Sequence, residues 1–530
     1  MNLSLLLEMA VAGYGSRTAL GPSQCGLSFA ELRARAAGGA TVLGDQRAEQ
    51  LVFIGTGGPA YPQAMFSAAI AGVPFVPLNY RLSAVQIQDL LGELGNSLVV
   101  ADSEYLPLVG QADVQLMSTG DFVRVAASAT PRKGQPASAD ATAVILFTSG
   151  TTARPKAVLL KHENLMSYII STVEFGNAGE QEAALITVPP YHVAAVASTL
   201  SNIYSGRRVV HLPDFDPAAW LRLVADEGVT SAMLVPTMLS RVVDLLDASP
   251  ADLPTLRAIA YGGARMPQQL LKRALRMFPD VGFVNAYGLT ETSSTIAILG
   301  AEDHREAVSS DDPAIRRRLG SVGRPVPGIE VQLRDEFDQE VGPGQAGALW
   351  VRGSQVAGEY HGQGSTLDAD GWFCTRDRCY QDTDGYLFIE GRLDDTIIRG
   401  AENIAPAEIE DALLSHEAVK DVAVVGLPDA EWGETVCAVV VRERGTDPTA
   451  DELKAHVRGR LRGSRTPDAI VWRDVLPHSP TGKLLRRQLR TELAETSTST
   501  DGSVDGAAQA RITPAKPGVH DRSYRRHPAG

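Results

Sequence analysis

The sequence predicts an α/β protein with mostly parallel sheets, followed by an antiparallel, barrel-like unit and a second compact region. Three observations lead there. Short β-rich apolar runs alternate with helical patterns over the first two-thirds of the chain, the alternation expected of βαβ units. From about Ile329 the texture changes to strands joined by Gly, Pro and Asp turns. At 530 residues the chain is too long for one hydrophobic core, so at least two domains are expected.

Taken in order, the N-terminal stretch MNLSLLLEMAVAGYG has an apolar run that Glu8 interrupts and no basic residue precedes. It reads as an amphipathic helix rather than a signal peptide. Strands are expected at 50–57, 74–79, 97–103, 143–150 and 207–213, with helices at 60–72, 84–95 and 217–228. Segments 230–236 and 256–263 continue the strand pattern. In the altered region, IEVQLRD, GALWVRG and GYLFIEG read as strands. After Arg392 come a helix at 406–416, strands at 419–428 and 435–443, and a helix at 450–462. Pro406 suits a first helical turn, where its missing N–H would have no partner. The last stretch, 496–530, is rich in Ser, Thr, Gly, Pro and Ala, and reads as a disordered tail that cannot bury enough surface to offset its ordering entropy.

Composition narrows the function. A net charge of −14 argues against a nucleic-acid binder, which needs a basic footprint, and against docking on anionic membranes. The four cysteines (Cys25, Cys374, Cys379, Cys437) complete no zinc set and read as free thiols of a reducing compartment. No apolar stretch reaches membrane-spanning length, and a cytoplasmic location is expected.

Four segments can carry chemistry. LFTSGTTARPKAV (146–158) follows an apolar run and gathers the hydroxyls of Thr148, Ser149, Thr151 and Thr152, the amides around Gly150 and the cation of Lys156. It lacks P-loop spacing, and fits either an anion nest or a polar surface hairpin. YGGARMP (261–267) and NAYGLTET (285–292) form the second. There Tyr287 can lie on a purine ring or be a half-buried core aromatic, and Glu291 can sit beside phosphates and Mg²⁺ or be a helix-start acid. In the third, Asp377 and Arg392 can hold a sugar's hydroxyls, while Asp394 and Asp395 also suit a turn. The fourth, PTGKLLRR (480–487), places Lys483 on a glycine-bearing loop or as a solvated surface lysine.

The order and wording of these segments, from about residue 10 to 495, resemble the adenylate-forming superfamily of acyl- and aryl-CoA synthetases, peptide-synthetase adenylation domains and beetle luciferases. The resemblance implies a large N-terminal domain (1–391) of two αβ subdomains plus a distorted β-barrel. A hinge at 392–395, centred on Asp394, and a small mobile α+β domain (396–495) would follow. It implies that Thr148 to Lys156 form a phosphate loop, and that Gly262, Gly263 and Ala264 line the adenine on which Tyr287 stacks. Thr290 would contact the α-phosphate, Glu291 would bind Mg²⁺, and Asp377 and Arg392 would hold the ribose. Lys483 would bridge the acid and the α-phosphate. The implied reaction joins a carboxylic acid to ATP as an acyl-adenylate, and a thiol then displaces AMP. Between the steps the family rotates its small domain, bringing RGAEN (399–403) towards the thiol tunnel.

PPYHVAAV (189–196) resembles the aromatic-histidine gate of the CoA-ligase branch, with Tyr191 and His192 between acyl pocket and thiol. No acid lies within YHVAAVAST, which disfavours an amino-acid substrate. Val193, Ala194, Ala286, Gly288, Ser293 and Ser294 are small or apolar, and suggest an uncharged aliphatic, aryl or alicyclic acyl group. Ala401 and Trp432 are expected beside the pantetheine of coenzyme A. No carrier-protein domain follows, which favours free coenzyme A over a carrier protein. The expected partners are thus the acid, ATP and coenzyme A, with a homodimer allowed. Three departures stand against the family pattern: Ala153, Arg376 and Ala401 replace glycines. A glycine there permits positive φ or close approach, so a catalytically weakened nucleotide-binding homologue is a third reading.

Overall fold

The computed structural model describes residues 1–110, 112–131, 137–148, 155–246, 250–399, 402–429, 432–461, 463–479 and 483–498. By its contacts the chain divides into two compact units, Met1–Asp394 with His478–Lys483, and Asp395–Pro477 with the residues from Leu484 onward. The division thus falls between Asp394 and Asp395. Arg392, expected to open the hinge, is the last residue of the strand Leu387–Arg392 in the first unit. The segment His478–Lys483, expected within the small domain, groups with the first unit.

The first unit holds three sheets. In the eight-stranded one, Gln50–Ile54, Phe75–Pro77, Ser97–Ala101, Gln115–Ser118 and Thr142–Thr148 run parallel. Its edge turns antiparallel at Lys156–Lys161. The nine-stranded sheet carries Ala183–Ile186, Arg208–His211, Ser231–Leu234, Ala258–Gly262 and Gly282–Leu289 in parallel, and Ser294–Leu299 returns antiparallel beside the last. These central strands are mostly apolar because both faces are covered; all five residues of Gln50–Ile54 are buried.

Capping chemistry sets the helix starts. Ser28 and Glu31 form a capping box ahead of Phe29–Asp45, and Ser83 with Gln86 does the same for Ala84–Leu94. The N-terminal helix Ser4–Tyr14 buries Leu6, Leu7, Ala10 and Tyr14, a helical spacing, and leaves Glu8 outside. Phe29–Asp45 had no counterpart in the periodicity. Its buried face carries Phe29, Leu32, Val42 and Leu43 separated by Ala and Gly, which thins the apolar stripe.

The third sheet is the barrel-like unit: Glu330–Arg334, Ala346–Arg352, Phe373–Gln381 and Leu387–Arg392, antiparallel in that order. The second unit has a five-stranded sheet in which Val419–Asp429 and Gly433–Arg442 form the long central hairpin. Helices Pro406–Leu414 and Ala450–Arg458 contribute Ile409, Leu413, Leu453 and Val457 to a core with Val424, Val436 and Val440. Arg486 donates to both oxygens of Glu410, at 2.6 and 2.7 Å.

Candidate active site

Register builds the first half of the site. Antiparallel pairing in the barrel-like sheet sets Asp377 opposite Arg392, and Arg392 Nη1 donates to Asp377 Oδ1 at 3.0 Å. The second oxygen of Asp377 accepts from the Tyr287 hydroxyl at 2.5 Å, which ties the nine-stranded sheet to the barrel-like one. Thr375 Oγ1 accepts from the Asp377 amide at 3.1 Å. Burial pushes the Asp377 carboxyl above the usual carboxylate range, and the Arg392 guanidinium, the Tyr287 hydroxyl and the Lys483 ammonium pull it back.

The second half lies where the strand Gly282–Leu289 ends in a 3-10 turn, Thr290–Thr292. After it Ser293 and Ser294 both take left-handed φ, 57° and 117°, uncommon for residues with a side chain. Gln355 is buried and donates to Thr292 O at 3.1 Å and Thr295 O at 2.8 Å, which holds the turn in place. Glu291 leaves this turn half-buried, and Tyr360 donates to its Oε1 at 2.8 Å. Lys156 Nζ lies over the Tyr360 ring, 5.3 Å from its centroid. Thr148 faces Lys156 across the hairpin, its Oγ1 donating to Lys156 O at 3.3 Å. Ser149, Gly150, Thr151, Thr152 and Ala153 lie outside the described residues.

Gly262 ends its strand against Ala286, and Gly263 follows at φ +79°, a conformation that favours glycine; Ala264 comes next. Val193 and Ala194 open the helix Val193–Ser205, which lies against the strand Ser294–Leu299. His192 stands at that helix start without a side-chain capping bond, and Tyr191 packs edge-on to Tyr80 at 5.7 Å. Three buried polar atoms here have no partner: Tyr191 Oη, His192 Nε2 and Ser293 Oγ. Such atoms are costly unless something else satisfies them, which fits a ligand. Burial, with the Arg81 charge behind it, pushes His192 down to about 4, so its imidazole is neutral near pH 7.

Of the remaining predicted residues, Lys483 groups with the first unit and its charge reaches Asp377, and Trp432 belongs to the second unit. Lys483 is exposed, its amide donating to Ser479 Oγ at 3.0 Å. Trp432 is half exposed in the second unit, with the Arg399 guanidinium 5.8 Å from its ring centre. Ala401 lies outside the described residues. Arg376 takes φ +61°, so the position does want a glycine-like backbone, and its Nε donates to Asp394 Oδ2 at 3.0 Å. Three residues were missed: Tyr360, Gln355 and Arg81. Tyr360 lies in the two-residue strand Glu359–Tyr360, and nothing in its spacing marks it.

The donor set suits Mg²⁺ with a nucleotide. Among the described residues no group of three or more His, Cys, Asp or Glu could hold a metal. Glu291 Oε2 has no hydrogen-bond partner among them either. Mg²⁺ is typically held by one or two carboxylates plus substrate phosphates, so a single available carboxylate is the expected arrangement.

Comparison with known proteins agrees. A family model described as AMP-binding enzyme matches residues 7–361, and one for the AMP-binding enzyme C-terminal domain matches 408–483. A feruloyl-CoA synthase of an Amycolatopsis species is 33% identical over 88% of this chain and 93% of its own. A fatty acid–[acyl-carrier-protein] ligase of Streptomyces coeruleorubidus is 31% identical, covering 83% of this chain and 86% of its own. The solved o-succinylbenzoate CoA synthetase of Bacillus subtilis, in complex with its acyl-adenylate intermediate, matches with a TM-score of 0.81 at 28% identity. It covers 92% of this chain and 97% of that one.

Proposed function

The chain belongs to the AMP-binding enzyme family and is an AMP-forming carboxylate–CoA ligase, and from that premise we propose how its residues divide the work and which acids it takes. The observation that carries the reading is the bonded set Tyr287–Asp377–Arg392 with Glu291 four residues after Tyr287. Asp377 and Arg392 hold the ribose, and Tyr287, anchored at its hydroxyl, presents its ring to the adenine beside Gly262, Gly263 and Ala264. Thr290 contacts the α-phosphate, and Thr148 to Lys156 hold the outer phosphates.

The chemical problem is charge. An acid's carboxylate must reach the α-phosphorus of ATP, and two like charges ~4 Å apart repel by about 4 kcal/mol at an effective dielectric near 20. Lys156 and Lys483 offset that repulsion and position the reactants for in-line attack. Mg²⁺, when bound, neutralises phosphate charge and supports the departing pyrophosphate. Glu291 supplies its carboxylate ligand. Attack gives the acyl-adenylate and pyrophosphate; the thiol of coenzyme A then attacks the acyl carbonyl and AMP leaves. Tyr191 and His192 stand between acid and thiol, and Ala401 and Trp432 meet the pantetheine.

The acid has an uncharged body, aliphatic, aryl or alicyclic. Val193, Ala194, Ala286, Gly288 and Ser293 offer no charge to a second ionised group, and His192, neutral near pH 7, adds none. A panel of such acids with ATP and Mg²⁺ should release pyrophosphate, and coenzyme A should yield the acyl thioester by mass spectrometry. Silence across the whole panel would sink the reading. The carrier-protein ligase among the relatives favours a second acceptor; thioester on a phosphopantetheinyl carrier but not on free coenzyme A would select it. A cytoplasmic setting suits four free thiols, and among the described residues no helix is long and apolar enough to cross a membrane.

A further inference from the structure

Tyr360 stands between two charges that the reaction must keep apart. Its hydroxyl donates to Glu291 Oε1 at 2.8 Å, while Lys156 Nζ lies 5.3 Å from its ring centroid. The backbone fixes it there on both sides. Tyr360 pairs with Val158, two residues beyond Lys156, and the His361 amide donates to Ala157 O at 2.9 Å. Towards Glu291, the Ala357 amide donates to Glu291 O at 2.8 Å. The strand Lys156–Lys161 also neighbours the turn Thr290–Thr292, and one tyrosine meets both charges, the ammonium at its ring and the carboxylate at its hydroxyl.

We propose that Tyr360 is a positioning residue that prevents Lys156 and Glu291 from closing on each other, and that its hydroxyl orients Glu291 with Oε2 left for the metal. A direct Lys156–Glu291 ion pair would neutralise both groups. The ammonium would no longer be offered to phosphate, nor the carboxylate to a cation. An aromatic face holds an ammonium more weakly than a carboxylate does, so Lys156 is kept in place yet surrendered to an incoming phosphate.

The inference rests on the roles proposed above for Glu291 and Lys156, and titration calorimetry of ATP into the full-length protein, with Mg²⁺ and with EDTA, separates the two. Tyr360→Phe keeps the ring and loses the bond. It should weaken ATP binding in Mg²⁺ about tenfold and leave binding in EDTA within about twofold. Tyr360→Leu removes the spacer and should weaken binding in EDTA as well, by about fivefold. Adding Glu291→Gln to Tyr360→Leu removes the competing carboxylate and should restore the EDTA affinity, a rescue that a merely structural role would not give. Wild-type behaviour of Tyr360→Phe in Mg²⁺, or no rescue in the double variant, overturns the proposal. If Glu291→Gln alone leaves the advantage of Mg²⁺ over EDTA intact, the fault lies instead with the metal role of Glu291.

Discussion

Asp377 is shut away from solvent with a partner on each oxygen, whereas half-buried Glu291 uses one oxygen on a tyrosine. Arg392 is committed to an ion pair; Lys156 merely rests over a ring. The cluster proposed to hold the nucleoside is therefore bonded before any ligand arrives, and the groups proposed to meet phosphate and metal, Lys156 and Glu291, are not paired with each other. The difference follows the chemistry expected of each. Holding a sugar and a base rewards a rigid cradle. Charge that builds up during reaction is best met by groups not already neutralised.

That contrast can be broken or sharpened by measurement. The largest effect is expected at Lys483. Lys483→Ala should slow pyrophosphate release by about 100- to 1000-fold, yet still form thioester from a preformed acyl-adenylate. Equal loss of both half-reactions would contradict its assignment to the first. Next comes stability. Asp377→Ala leaves Arg392 and Tyr287 without their shared partner and should cost about 2–3 kcal/mol, less than a fully buried pair because Arg392 stays 32% exposed. Glu291→Gln should shift unfolding by no more than about 0.5 kcal/mol. Similar losses in denaturant melts of the two variants would erase the distinction between the sides.

Acid probes the bonded scaffold from another direction. Burial holds His162, His192 and His211 down at about 4, and His211 has both ring nitrogens unpartnered. As pH falls below ~6.5 the unfolded chain takes up protons that these folded imidazoles refuse. Stability is thus lost between ~6.5 and ~4, by up to about 1.4 kcal/mol per pH unit for each histidine. His211→Leu should flatten the pH dependence of the melting temperature in that window and raise its acid end; an unchanged slope would mean His211 is protonated in the fold. The smallest effect is expected at Arg376→Gly. Relief of φ +61° gains about 1 kcal/mol, and loss of the largely exposed pair with Asp394 costs about as much, so the unfolding midpoint should barely move.

Tyr287, Asp377 and Arg392 were readable as candidates because they stand in short motifs, with Tyr287 and Arg392 near strand ends. Tyr360 was not, because its meaning lies in a partner 69 positions away and in a strand register that no local spacing reveals. Gln355 and Arg81 escaped for the same reason. In the fold, the strand Lys156–Lys161 has four consecutive apolar residues and no alternation, and the apolar stripe of Phe29–Asp45 is thinned by Ala and Gly. Its Ser-x-x-Glu start was nonetheless in plain view. Arg376 went the other way: the sequence marked it as a misplaced glycine, and its positive φ shows why the position matters.

Gly288 carries a last consequence. A Cβ there would lie 1.7 Å from the carbonyl oxygen of Ser294, on the neighbouring antiparallel strand. Sheet geometry, rather than any acid, dictates this residue. A larger residue at position 288 should therefore disturb the pairing of these two strands before it could tune any acid preference. In the pocket proposed above, acid preference should instead respond to changes at Val193, Ala194 and Ala286.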